Sequence, residues 1–246
     1  MFHRRIFIII LSLALSSQLV ACDNEPVPEA TATTAISPLE IAAHAADAML
    51  AVESLHFKIE RDGALVYIDE NQMLAFKRAR GNFALPDDLQ AIVRVITVFT
   101  PVDIGMIVLG DKQYATDPIT GQWDRLPPEW GEFNLAVLFD PEVGLQGLLK
   151  DGIRDLALEG VEDVDEQAHY RLTGRVDGER ISAATMGFIG DGDVEVKVWI
   201  GAEDYLMRRL HIVEPATDSD DPTTWDLEFS QLGEPVEINA PPVPDL

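Results

Sequence analysis

Leu55-His56-Phe57-Lys58-Ile59-Glu60, closed by Asp62-Gly63, decides how the rest of the chain is read. Apolar Leu55, Phe57 and Ile59 alternate with polar His56, Lys58 and Glu60, which is the period of a strand with one wet face. Asp62-Gly63 is a hairpin signal, and Ala64 to Ile68 is the expected partner strand. Just upstream, Ser37-Pro38-Leu39-Glu40 carries the signature of a helix start, with serine as N-cap, proline at the first helical position and glutamate closing a capping box. Ile41, Ala42, Ala45, Met49 and Leu50 continue a helical stripe to about Glu53.

Downstream the period of two recurs. Strands are expected near Gln72–Arg80, Leu89–Phe99, Val102–Leu109 and Lys112–Thr116, with a turn at Asp117-Pro118-Ile119-Thr120-Gly121. Pro127-Pro128 interrupts the pattern, Asn134 to Phe139 is apolar, and a helix is expected from Asp140-Pro141 to about Lys150. Gly144 and Gly147 inside that stripe each weaken a helix by roughly 1 kcal/mol relative to alanine, so the segment reads as loose or movable. Strands resume at Ile153–Glu162 and Ala168–Val176. A short helix is expected over Glu179–Met186, then strands over Val194–Ile200, Tyr205–Val213 and Thr224–Leu232. Strands joined by hairpins make an antiparallel sheet, and the helices must cover one of its faces, an α+β fold. Helix, strands, helix, strands also hints at two similar halves sharing one sheet.

The N-terminus sets location. Arg4 and Arg5 precede an apolar stretch, Ile6 to Leu15, and Leu19-Val20-Ala21-Cys22 follows. A basic head, an apolar core of this length and a small residue before the cut form a secretory signal over residues 1–21. The stretch is shorter than the roughly 20 apolar residues that span a bilayer. Leu-Val-Ala-Cys resembles a bacterial lipobox, and Cys22 is the chain's one cysteine, so no internal disulfide competes for it. Cys22 is therefore the expected lipidation site. Residues 22–36, proline-rich and acidic without apolar period, are expected as a flexible tether, residues 37–239 as a single domain, and 240–246 as a proline-rich tail. Two acyl chains hold a protein on a membrane where one does so only marginally, which places the mature chain on the extracytoplasmic face of the cell membrane.

Charge and motifs narrow the function. The formal charge is −25, and −27 once Arg4 and Arg5 leave with the signal. Such a surface repels nucleic acid and anionic lipid head groups. The chain has no G-x-S-x-G elbow, no H-E-x-x-H and no phosphate loop, so neither an enzyme nor a cofactor is expected. His44, His56, His169 and His211 read as solvated or half-buried side chains. Asp163/Asp165 and Asp191/Asp193 lack EF-hand spacing and read as loop acids, not a metal site.

What remains is an apolar inventory. Val93, Val95 and Phe99 share one strand face, Ile104, Met106 and Val108 another, Val196 and Val198 a third, and Leu227 a fourth. Phe139, Leu145, Leu148 and Leu149 lie in the loose segment that would cover them. Periodicity alone allows either a fully packed core or a cavity between a greasy sheet and a thin helical cover.

Several short motifs sharpen this. Leu55-His56-Phe57 after the first helix, Gly110-Asp111-Lys112-Gln113-Tyr114, Asp117 to Trp123, Val198-Trp199-Ile200-Gly201, Tyr205 to Leu210 and Leu232-Gly233-Glu234-Pro235-Val236 resemble the LppX/LprAFG family of lipoproteins in order and spacing. The resemblance implies a strongly curved antiparallel sheet, a half-barrel, with helices on its concave face. It implies a hydrophobic cavity that binds the acyl chains of lipids or glycolipids and carries them across the cell envelope, with a membrane transporter as candidate supplier of cargo. The thirteen apolar residues named above would then line the cavity, and Arg94, Lys77, Arg78 and Arg208 are the cations available for a head group. The competing reading is a non-carrier envelope lipoprotein with a filled core, acting in protein interaction or sensing.

Overall fold

The computed structural model describes residues 36–69, 71–98, 100–126, 135–164, 166–190, 192–215 and 222–243. Cys22, the signal, all but the last residue of the tether, Phe99, Asp165 and Asp191 lie outside the described residues.

Helix α1 spans Pro38–Leu50 and starts as its sequence dictates. The Ser37 hydroxyl accepts from the Glu40 N–H at 3.2 Å, and the Glu40 carboxylate accepts from the Ser37 N–H at 2.9 Å. Two of the donors orphaned at a helix start are thereby satisfied. The stripe Ile41, Ala42, Ala45, Ala46 and Met49 is buried.

Twelve strands follow among the described residues. They are β1 (Ser54–Asp62), β2 (Val66–Tyr67), β3 (Ala75–Ala84), β4 (Asp88–Ile96), β5 (Pro101–Leu109), β6 (Lys112–Thr116), β7 (Trp123–Arg125), β8 (Ile153–Val164), β9 (Gln167–Val176), β10 (Val194–Gly201), β11 (Met207–Glu214) and β12 (Thr223–Ser230). The sheet order is β7-β6-β5-β4-β3-β1-β12-β11-β10-β9-β8, every pairing antiparallel, with β2 attached to β3 alone. Two meanders, β1 to β7 and β8 to β12, therefore meet where β1 pairs with β12, and the two-halves reading of the sequence has this physical form.

The expected hairpin after Asp62-Gly63 does not form. Both sides of β1 are taken, by β3 and by β12. The Gly63 carbonyl instead accepts from Arg61 at 3.1 Å, and the Ala64 N–H donates to the Thr223 hydroxyl at 3.0 Å, so the chain leaves the strand. Only Val66–Tyr67 of the expected partner strand pairs with anything, and its partner is β3.

Two edges close the sheet order without closing a barrel. β8 is long, carries Asp155, Glu159, Glu162 and Asp163, and slips register twice against β9. Acids and bulges of this kind blunt an edge against pairing with another chain. Eleven strands at about 4.8 Å spacing would make a flat sheet near 48 Å wide, whereas the 13 residues of α1 reach only about 20 Å. A single helical layer can cover that sheet only if it curls. It does: α1 packs against β8, and the turn Leu135–Phe139 against β4, while one continuous apolar core joins strands from β5 to β9.

The helical layer also differs from expectation. Instead of one helix from Pro141 to Lys150, a 3-10 turn (Leu135–Phe139) leads to a short α-turn, α2 (Leu145–Gly147), and a π-turn (Leu148–Gly152). The two glycines are not looseners. A Cβ at Gly147 would lie 2.0 Å from the Glu142 carbonyl oxygen, and one at Gly144 would lie 2.5 Å from that of Leu138. They are there because backbone crosses backbone too closely for a side chain. Helix α3 (Gly178–Ala184), capped by Asp177, completes the layer.

Candidate functional site

The inward face of the sheet and the helical layer enclose the apolar interior that the sequence proposed. Val93 and Val95 on β4 point inward beside Ile104, Met106 and Val108 on β5, with Val93 opposite Ile104. Val196 and Val198 on β10 do the same in the other half, Val198 lying between Leu172 and Leu210. Leu145, Leu148 and Leu149 are buried in the layer above. Phe139 sits at the centre, its ring stacked on Phe83 at 4.3 Å between centroids and tilted against Phe57 at 5.8 Å, with Phe229 edge-on at 6.3 Å. It plugs the point where the two meanders join.

Of these residues, Leu145 and Leu227 come together at a small void in the packing, about 30 Å³ in volume. Its other walls are Ile59, Phe76, Leu138, Ile212 and Trp225, and a cluster from α3 and the turn after it: Ile181, Thr185, Met186, Phe188 and Ile189. That second cluster was missed. Its signal was present in the i, i+4, i+7 spacing of Ile181, Thr185 and Phe188, which runs past the helix end. Thr185 adds no free polarity, because its hydroxyl donates to the Ile181 carbonyl at 2.7 Å and accepts from the Ile189 N–H at 3.2 Å.

Polar groups gather at one end of this interior. Trp225 stacks on Phe76 at 5.6 Å, and its indole N–H donates to Glu214 at 2.6 Å. Glu214 also accepts from the Gly190 N–H at 3.3 Å. Arg61, on the inward side of β1 and only 2% exposed, donates to the carbonyls of Phe76 at 3.0 Å and Gly63 at 3.1 Å. Burial pushes its guanidinium below the usual arginine value, partly offset by Asp62 and Glu214. The cations the sequence offered for a head group lie elsewhere. Arg94 faces outward and is held bidentately by Asp103 at 2.6 Å, and Arg208 is paired with Asp204 at 2.6 Å. Lys77 is tied to Asp62 and to the Arg61 carbonyl, and Arg78 is exposed opposite Arg94. Arg61 is the cation at the interior's edge, and its place on the apolar parity of β1 marked it. His169 also departs from expectation, being 3% exposed with Nδ1 at 2.8 Å from the Gln167 carbonyl.

A family model for the LppX_LprAFG lipoproteins matches residues 37–238. The chain belongs to the LppX/LprAFG family. It is 24% identical over 143 residues to the lipoarabinomannan carrier protein LprG of Mycobacterium tuberculosis and of Mycobacterium bovis, a stretch that is 58% of this chain and 58% of that relative. The fold is that of two solved structures. LprF from Mycobacterium bovis superposes with a TM-score of 0.67 at 17% identity, covering 83% of this chain and 96% of that one. LppX from Mycobacterium tuberculosis gives 0.59 at 18% identity, covering 82% and 98%. The fold of this family member is therefore the curved antiparallel sheet with helices on its concave face. No helix among the described residues is long and apolar enough to cross a membrane.

Proposed function

We propose that this protein is a lipid carrier tethered by an acylated Cys22 to the extracytoplasmic face of the cell membrane, which holds the acyl chains of a lipid or glycolipid between the concave sheet face and the helical layer. The observation that carries the reading is the mismatch between the two surfaces. Inward apolar side chains run without a break from β5 to β9, while the cover is two helices, α1 and the seven-residue α3, and several short turns. The name of the LprG relative, a lipoarabinomannan carrier, supports the cargo class.

In this reading chains enter where the void now lies, between α3 with its following turn and the Leu135–Gly152 segment. Those elements move apart, and Leu145, Leu148, Leu149 and Phe139 exchange contacts with the sheet for contacts with the chains. Val93, Val95, Ile104, Met106, Val108, Val196, Val198 and Leu227 form the walls. Apolar area buried at about 25 cal/mol per Å² supplies the affinity, and the helical contacts regained on closing supply the means of release. One observation favours the filled-core reading: 30 Å³ holds about one water, against roughly 300–1,000 Å³ for a ligand site.

Uptake of a fluorescent fatty-acyl probe separates the two. Wild type is expected to bind the probe saturably. Leu227→Trp or Val95→Trp, in protein shown by circular dichroism to be folded, is expected to lose most of that binding, since overpacking costs about 1–3 kcal/mol and removes the space. A wild type that takes up no probe, or variants that bind as wild type does, would sink the carrier reading.

A further inference from the structure

The outer face of the sheet carries a second concavity, a groove of about 910 Å³. Its floor is built from outward side chains of β1, β12, β11 and β10, and its walls are the β8–β9 turn on one side and residues Ser230–Glu234 on the other. Both walls are pinned. The Gly233 N–H donates to the Ser54 carbonyl at 2.7 Å and the Ser54 hydroxyl to the Glu234 carbonyl at 2.6 Å. Opposite, the Ala202 N–H donates to the Ala168 carbonyl at 2.9 Å, and buried His169 holds the Gln167 carbonyl.

At the floor stands Trp199, half-buried and fixed in orientation. Its indole N–H donates to Glu162 at 3.1 Å, and the Arg209 guanidinium lies over its ring, 5.1 Å from the centroid. Glu162 is held in turn by Arg171 at 2.8 Å, and these two donors, the Trp199 indole first, keep its carboxyl below the usual glutamate range. Lys58 is paired with Glu228 at 3.7 Å. Three cations and four carboxylates line the groove, a near balance on a chain of charge −25. Lys58 is thus spent on Glu228, Arg208 on Asp204, Arg209 on Asp226 and the indole face, and Glu162 on Arg171 and the indole N–H. An ionic ligand would have to break those pairs at a cost in desolvation. What the groove offers a ligand is an aromatic surface edged by fixed donors and acceptors, with Gln167, Gln231 and His56 adding groups that can donate or accept.

We propose that this groove is a binding site for a neutral glycan, separate from the apolar interior, with the face of Trp199 that Arg209 leaves uncovered as the stacking surface and Glu162, Arg209 and Gln231 as hydrogen-bonding edges. An uncharged polyhydroxyl chain is the ligand class that uses both donors and acceptors at every sugar and asks no ion pair to break. Its apolar ring faces suit an indole held in one orientation by Glu162. The groove crosses the strands from β8 to β1, about 24 Å, which calls for several linked sugars instead of one. This site stands whether or not acyl chains enter the interior.

The test is calorimetric titration of the full folded protein with mannohexaose, maltohexaose and arabinohexaose, beside a sulfated hexasaccharide and an acidic and a basic peptide. At least one neutral hexasaccharide is expected to bind and the charged ligands are not. Trp199→Ala is expected to weaken that binding by roughly tenfold or more. Glu162→Gln, which keeps the shape and removes the charge, and Gln231→Ala are expected to weaken it several-fold, and all three are expected to leave acyl-probe uptake unchanged. The proposal is overturned if no neutral hexasaccharide binds, if a charged ligand binds in preference, or if Trp199→Ala and Glu162→Gln both bind as wild type does.

Discussion

Gly147 shows how far a single residue can reverse its sequence reading. Helix propensity alone says that alanine there should stabilise by about 1 kcal/mol. The structure says the reverse, because the new Cβ would stand 2.0 Å from a backbone oxygen that has no flexible end to yield. Gly147→Ala is expected to destabilise by about 1–3 kcal/mol in denaturant unfolding, and an increase in stability would contradict the packing described. Acid is the second probe at this scale. Asp62, Asp103, Asp117 and Glu162 all have carboxyls held below their ordinary values, by Lys77, by Arg94, by the Thr120 backbone and by Trp199 respectively. A depressed folded pKa contributes stability above the unfolded value, about 4, and that contribution is lost as pH falls through the folded value. Between pH 7 and about 5, by contrast, relief of the large negative charge acts in favour of folding. The unfolding midpoint is thus expected to hold or rise from pH 7 to about 5 and to fall from about 4 downward. A midpoint that goes on rising below about pH 3 would contradict these assignments.

Among the elements, those defined by local chemistry were legible. The capping box placed α1, and alternation placed β1, β5, β6, β9 and β10 to within a residue or two. What failed depended on partners distant in sequence. Asp62-Gly63 has the same turn chemistry whether the chain folds back on β1 or leaves it, and the decision belongs to β12, over 160 residues on. The inward faces of the candidate site were readable from the period of two. Which inward residues border the void was not, because that depends on where α3 lands. Arg61 was passed over and His169 misjudged because a polar residue is buried where backbone carbonyls receive it: those of Phe76 on β3 and of Gly63 for Arg61, and that of Gln167 at the start of its own strand for His169. The N-terminal segment is read from sequence alone, and its test is genetic. Cys22→Ser is expected to release the chain into the soluble fraction or to leave it unprocessed. A processed chain that stays with the membrane would contradict acylation.

At the scale of the molecule, two antiparallel meanders share one curled sheet, and its inward face is too large for the helices above it to cover except by curling. The same geometry that gives the chain a core gives it a seam, along α3, the Leu135–Gly152 segment and the Phe76–Trp225 stack, where the packing is incomplete and buried polar groups stand close by. A carrier needs such a seam, since its cover must open without unfolding the sheet that supports it. The central claim is that the seam opens to acyl chains, and it is met most directly by native mass spectrometry of protein purified from its own membrane without detergent exchange, followed by analysis of the organic extract. The account predicts a bound lipid bearing one or two acyl chains in near-equal ratio to protein, displaced in the Leu227→Trp variant. Protein that emerges without lipid from every preparation, and that stays so after incubation with vesicles of its own membrane lipids, would contradict it.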